Sequence, residues 1–147
     1  MNAVASGGAI VYEFAKRVDL NEVSTLLKAC ELPDNDLEKH KFIVAKNDGL
    51  IVGCIGLEIP GPLLRSMAVR PDFRNRGIAG ELCKRLLKFA KKQHAGEIYL
   101  LTDSAEKFFE KNGWDKVDRE TAPEWVRAHK QFTTLCPVSA VVMHKSL

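Results

Sequence analysis

Apolar residues recur along this chain with two periods, and the switches between them divide it into elements. "AIVYEFA" (9–15) has the alternation of a strand, and Val23, Leu26, Leu27 and Cys30 follow at helical spacing, with Asp19 placed to cap the helix start. "LPDND" breaks that helix, and a turn or short helix fills the stretch to His40. "FIVAKNDGLIVGCIGLEI" (42–59) reads as a hairpin, because Asn47-Asp48-Gly49 supplies residues that accept positive φ between two alternating runs. "PGP" (60–62) reverses the chain into a further strand, "LLRSMAV" (63–69).

Helical spacing returns with Ile78, Leu82, Leu86, Leu87 and Ala90, while Lys84, Arg85, Lys88, Lys91 and Lys92 fill the other side as a solvated face. Gly96 ends that region and "EIYLLT" (97–102) is a strand. "DSAEKFFEKNGW" (103–114) predicts a short helix, with Asp103 or Ser104 capping its start and Gly113 just past its end. Thr121 and Glu124 have capping-box spacing around Pro123, which predicts a helix from Trp125 to about Phe132 before a closing strand in "SAVVMHK". The order is an α+β arrangement around one mixed, largely antiparallel sheet flanked by helices.

With 147 residues the chain is expected to form one domain, large enough to bury roughly two-thirds of its unfolded surface. A formal charge of +3, with the cations scattered among 19 acids, suits a small anionic ligand and argues against nucleic acid, which calls for a concentrated basic face. The cysteines Cys30, Cys54, Cys83 and Cys136 are far apart inside apolar runs, so buried free thiols are expected rather than disulfides or a metal site. No apolar run nears membrane-spanning length and the first residues lack a targeting pattern, so the expected setting is cytoplasmic and reduced, with no membrane partner.

The candidate chemistry begins in "VRPDFRNRGIAGEL" (69–82). A strand ending at Val69 and a helix opening near Gly77 leave main-chain N–H groups at the helix start without intrahelical partners, at the positive end of the helix dipole. Gly77 permits close approach of a phosphate, Ala79 and Gly80 keep the first turn uncrowded, and Asn75 tolerates unusual backbone angles. Arg74 and Arg76 add charge around this phosphate cradle. The chain has neither GxxxxGK[ST] nor GxGxxG, which sets aside the common nucleotide-binding loops.

Arg74-x-x-Gly77-x-Ala79 resembles the acyl-CoA signature R/Q-x-x-G-x-G/A of the GNAT superfamily of N-acetyltransferases. "SMAVRPDFRNRGIAGELCKRLLKFA" is similar to that family's strand, turn and long helix, and "TDSAEKFFEKNGW" to its later N-x-x-A-x-x-f-Y-x-x-x-G-F segment. "GLE", "YLLT" and the tail "FTTLCPVSAVVMHK" resemble, more narrowly, small bacterial N-acetyltransferases associated with arsenic resistance. The resemblance implies a GNAT fold and acetyl-CoA as co-substrate, with no metal. It implies that Arg74, Asn75, Arg76, Gly77, Ile78, Ala79 and Gly80 bind the pyrophosphate and that Met67, Ala68 and Val69 pair with the pantetheine arm as a strand would. The implied partner is a small amine, an amino acid or amino-acid-like toxin among the choices, and dimers are common in such families, so a homodimer is allowed. A non-catalytic acyl-CoA sensor and a protein N-terminal acetyltransferase are the competing readings.

Amide formation from a thioester needs a neutral amine, a donor for the developing oxyanion and a proton for the departing thiolate. A main-chain N–H on the strand carrying Met67 to Val69 is the expected donor. The family often places a proton-donating tyrosine where this chain has Phe109, and a phenyl ring cannot donate. Packing against the core or the pantetheine is the role left to Phe108 and Phe109; Tyr99, a hydroxyl such as Ser139, or water substitutes as the acid, or the thiolate leaves unprotonated. Thr102 stands where the family more often has a pantetheine-binding asparagine, and keeps a hydroxyl for that contact.

Glu58 and Arg65 are the candidate catalytic residues. Glu58 is either an exposed strand end or the group that draws the proton from the acceptor amine; Arg65, which shares parity with Met67 and Val69, either binds an acceptor carboxylate or pairs with Glu58. The predicted helix after Thr121 interrupts what is commonly a tight hairpin in this family, with Trp125, Arg127 and His129 lining the acceptor or serving as ordinary packing and surface. Cys136 is read as core rather than nucleophile.

Overall fold

The computed structural model describes residues 8–130 and 140–147. Seven strands form one sheet in the order β1-β2-β3-β4-β5-β7-β6: β1 (Val11–Phe14), β2 (Lys41–Asn47), β3 (Leu50–Glu58), β4 (Leu63–Val69), β5 (Glu97–Thr102), β6 (Asp115–Val117) and β7 (Val141–Ser146). Every neighbour is antiparallel except β4 and β5. Helices α1 (Leu20–Ala29), α2 (Ile78–Lys92), α3 (Glu106–Lys111) and α4 (Glu124–Arg127) cover it. The predicted hairpin is present: Asn47 faces Leu50 across Asp48 and Gly49, whose φ values are +50° and +81°.

The two faces of the sheet bury different helices. On one, Ile78, Leu82, Leu86 and Ala90 of α2 and Phe109 of α3 pack on Ile55, Leu64, Val69, Ile98 and Leu100. On the other, Val23, Leu26 and Leu27 of α1 pack on Val44, Cys54 and Ala68, and Val126 of α4 packs with Leu63, Tyr99 and Val142. The lysine-rich side of α2 lies in solvent, as its pattern requires. Cys54 and Cys83 are buried free thiols whose ionisation is pushed up to about 12 by burial.

Two bulges set which side chains share a face. Between Ala45↔Gly53 and Lys46↔Ile51 the β3 strand carries one extra residue. Between Cys54↔Ala68 and Gly56↔Arg65 the β4 strand carries another, with Ser66 at φ +56°. The second bulge overturns the expected parity of Arg65: Met67 and Val69 join the α2 core, whereas Arg65 falls on the same face as Ala68.

Several predicted boundaries are corrected. Asp19 ends a 3₁₀ turn and caps no α1 amide; its carboxylate accepts the Lys16 N–H (2.7 Å) and pairs with Lys46 (3.1 Å). The long helix stops at Lys92, with His94 rather than Gly96 in the left-handed region. Ala105, in place of Asp103 or Ser104, stands at the N-cap of α3, and the Thr102 hydroxyl accepts the Ala105 N–H at 3.0 Å. Around Thr121 there is no capping box: residues 119–121 form a 3₁₀ turn, Pro123 precedes α4, and that helix is one turn long. Ser139, Cys136 and the predicted helix end at Phe132 lie outside the described residues.

Candidate active site

Val69 ends β4, a 3₁₀ turn over Pro71–Phe73 follows, and α2 opens on Gly77 at φ +81°. Asn75 also takes positive φ (+64°), the conformation for which its residue type suits it. The first main-chain bond of the helix runs from Glu81 N–H to Gly77 O (3.0 Å), and no side chain caps the amides before it. A Cβ on Gly77 or Gly80 would meet nothing within 4 Å, so the amides face open space of the kind a phosphate fills. Arg76 lies over the Phe73 ring (4.6 Å) and donates to Asp72 O, and Arg74 Nε donates to Val69 O (3.0 Å), so both guanidinium groups stay beside the cradle.

β4 and β5 share one register pair, Leu63↔Tyr99, with the Tyr99 N–H donated to Pro62 O. Beyond it the sheet opens between Leu64–Val69 and Leu100–Thr102. Arg70 N–H bonds Val52 O (2.8 Å), so the alternation of an antiparallel ladder turns the Val69 N–H away from β3 and into the gap. A gap of this kind accepts an extended arm by strand addition.

On the face opposite α2, beside the closed end of the gap, four side chains converge. Arg65 NH1 lies 3.0 Å from Glu58 Oε2 and 3.1 Å from His40 Nε2, and Arg65 Nε donates to Ser66 Oγ. His129 Nε2 lies 2.8 Å from the same Glu58 Oε2, while Oε1 faces His40 Nδ1 at 3.9 Å. Arg65 is 4% exposed and lies under Glu58, whose side chain is 19% exposed, so a ligand meets the carboxylate first. Burial pushes the Glu58 carboxyl up, but the His129 hydrogen bond, the His129 and His40 rings and the Arg65 hydrogen bond outweigh it and hold it at about 2. Burial, followed by the Arg65 charge, lowers the His40 pKa from the usual histidine range.

Of the alternatives for Arg65, the structure therefore displays the pairing with Glu58. Phe109 packs edge-on against Phe108 and Trp114 and is 3% exposed, which is the core role. Burial, followed by the Glu97 carboxylate at the opposite end of β5 from the gap, raises the Tyr99 pKa. Trp125 packs on Gly61 and edge-on against Tyr99, and Arg127 Nε donates to Ala122 O, so both fasten α4 to the sheet. His129, beyond α4, is the member of that segment that reaches the polar cluster. Nothing in the sequence around His40 marks it for this cluster. It faces Glu58 because Lys41 pairs with Leu57, a register that the β3 bulge shifts by one residue from what counting back from the turn gives.

Comparison with known proteins adds three findings. The acetyltransferase (GNAT) domain family matches residues 38–116. An acetyltransferase of Pectobacterium atrosepticum is 31% identical over 118 residues, covering 68% of this chain and 84% of its own length. An amino-acid acetyltransferase of Buchnera aphidicola is 32% identical over 94 residues, covering 60% of this chain and 21% of its own, so the chain spans about a fifth of the amino-acid acetyltransferases it matches. Among solved structures, N-acetylglutamate synthase from Neisseria gonorrhoeae, complexed with coenzyme A and N-acetyl-glutamate, superposes with a TM-score of 0.81 at 16% identity, over 95% of this chain and 35% of that one. A GNAT-family acetyltransferase from Staphylococcus aureus gives 0.76 at 23% identity, over 95% and 99%. The fold is the one the sequence resemblance implied, and no described helix is long and apolar enough to cross a membrane. An open helix cradle, a gap between β4 and β5 and the match over more than half of its length together place this chain in the GNAT family of acetyltransferases.

Proposed function

We propose that this protein transfers an acetyl group from acetyl-CoA to the amine of a small, amino-acid-like acceptor. The observation that carries the reading is that two unlike sites lie on opposite faces of the sheet and meet at one gap. Open amides of Gly77–Gly80 stand on the α2 face and the Glu58 carboxylate stands on the other. Acetyl-CoA brings an activated acyl carbon as a thioester. The chain's residues do the rest: the α2 amides with Arg74 and Arg76 bind the diphosphate, the Met67–Val69 main chain aligns the arm, and the Val69 N–H receives the charge that develops on the carbonyl oxygen. Glu58, ionised at neutral pH, attracts the acceptor's ammonium to the free side of its carboxylate.

A carboxylate on the acceptor has cations to meet as well. Beside His40 a notch of about 240 Å³ is lined by Lys16, Arg17 and Lys41 against the single acid Glu38. That balance, and the amino-acid acetyltransferases among the relatives, support an amino acid over a simple amine. The narrower likeness to arsenic-resistance-associated enzymes adds amino-acid-like toxins to the acceptors worth trying. Release of free thiol from acetyl-CoA, followed with a panel of amino acids and amines, tests the reading. Acceptor-dependent release is expected, fastest with an acceptor carrying a carboxylate. Tight acetyl-CoA binding without any acceptor-dependent release would favour a sensor.

A further inference from the structure

An arginine and a carboxylate that meet inside a protein commonly pair through two parallel N–H···O bonds. Arg65 and Glu58 do not. Their contact runs through one nitrogen and one oxygen, NH1 to Oε2 at 3.0 Å, and Arg65 NH2 is buried without a hydrogen-bond partner among the described residues. A buried donor left unsatisfied is costly, so the guanidinium must be held away from the second bond. Its other two nitrogens are both engaged elsewhere. Nε donates to the Oγ of Ser66, the bulge residue at φ +56°, at 3.1 Å, and NH1 faces His40 Nε2 at 3.1 Å as well as Glu58.

We propose that His40 is a positioning residue: by accepting from Arg65 NH1 it keeps the guanidinium one-armed on Glu58 Oε2 and leaves Oε1 open for the acceptor's ammonium. The inference rests on the acetyltransferase reading above. A guanidinium nitrogen only donates, so the His40 ring presents a lone pair at Nε2 and carries its proton on Nδ1. Nδ1 stands 3.9 Å from Oε1, outside hydrogen-bond range, while Oε2 carries the contacts to both Arg65 and His129. An ammonium approaching Glu58 therefore finds one oxygen committed and the other open.

The surroundings of the ring suit this role. Its side chain is 9% exposed, and burial, then the Arg65 charge, favour the neutral form that has a lone pair to offer. The other titratable groups facing it are Glu58 on β3 and Asp36 ahead of it, which oppose that effect, and His129 beyond α4, which adds to it. Without the Nε2 acceptor, NH1 and NH2 would both lack partners, and the guanidinium would gain by closing on both carboxylate oxygens. One arm leaves Glu58 ionised and available; two would fill it.

Two measurements test this, the first without any turnover. Long-range nitrogen–proton correlation spectra of the wild-type protein at neutral pH are expected to show a neutral His40 with an unprotonated Nε2 and a proton on Nδ1. A proton on Nε2 would overturn the proposal. The second is steady-state kinetics with an acceptor identified by the thiol-release panel. In His40→Leu the acceptor KM is expected to rise about 10- to 100-fold, the loss of a charge-assisted hydrogen bond, with kcat within about threefold and acetyl-CoA affinity within about twofold of wild type. His40→Gln, whose side-chain oxygen accepts from NH1, is expected to recover most of that rise. Equal KM values in the Leu and Gln variants, or a fall in kcat at unchanged KM, would overturn the proposal. Melting curves establish that each variant is folded, and the wild-type spectra stand without either. Failure of the wild type to turn over any acceptor would sink the acetyltransferase reading and this inference together, whereas a proton on Nε2 or matching Leu and Gln variants sinks this one alone.

Discussion

The two halves of the proposed site, one assigned above to the acetyl donor and the other to the acceptor, are built by different means. The donor half is one stretch of chain, Val69 to Gly80, and its working groups are main-chain amides presented by a turn and a helix start. The acceptor half gathers Glu58, Arg65, His40 and His129 from four separate segments, and its working groups are side chains whose charges depend on each other. A backbone cradle tolerates side-chain change and fails when the backbone is blocked. A charge cluster fails when one member leaves, because the others are then buried without compensation.

The largest expected effect falls on the acceptor half. Glu58→Gln removes the counter-charge of both Arg65 and the acceptor's ammonium, and should lower kcat/KM for the acceptor by about 100-fold or more while leaving acetyl-CoA affinity within about twofold, read by steady-state kinetics and calorimetry. It should also change the pH dependence of folding. The carboxyl sits at about 2 in the folded protein against 4.5 ordinarily, so the unfolded chain takes the proton first as the solution is acidified. The stability that the ionised group contributes is therefore present above about pH 4.5 and lost as pH falls towards 2, by up to about 3 kcal/mol. Urea melts across that window should slope less steeply in the variant, and parallel slopes would mean that Glu58 is not held low.

The donor half should show the inverse pattern. Gly77→Ala places a Cβ on a residue at φ +81°, costing about 1–2 kcal/mol, and puts a methyl group where the amides face open space. Affinity for acetyl-CoA should fall by about tenfold with the acceptor KM little changed. Equal losses for both substrates would erase the distinction between the halves.

The smallest effect on rate is expected at Phe109→Tyr. The ring is 3% exposed and packed on Phe108 and Trp114, so an added hydroxyl enters the core instead of reaching the thiolate. Stability should drop by about 1–3 kcal/mol in a chemical denaturation curve, with turnover altered less than about twofold. A large rate gain would show that the position faces the reacting sulfur after all.

How much of each half was legible follows from the same difference. The cradle was readable because strand, turn, glycines and helix lie within a dozen consecutive residues, and Asn75 and Gly77 took the positive φ that their residue types suggest. Glu58 and Arg65 stood out as charges at the end of one apolar strand and inside another, yet their relation stayed open. Arg65 looked like a companion of Met67 and Val69 until the Ser66 bulge moved it to the other face. His40 gave no signal at all, since its place opposite Glu58 depends on the extra residue in β3. Capping-box spacing at Thr121 and Glu124 predicts a longer helix, whereas the described chain there forms a 3₁₀ turn ending at Thr121 and one helical turn, Glu124–Arg127, fastened by Trp125.

The sequence by itself determined the element order, the hairpin, the faces of the long helix and the anion cradle, all of which rest on contacts between near neighbours in the chain. Tertiary structure alone decided which charges meet, because a bulge of one residue exchanges the faces of every side chain beyond it, and only the assembled sheet, with α4 laid on the face of β4, β5 and β7, brings the Glu58 carboxylate against His129.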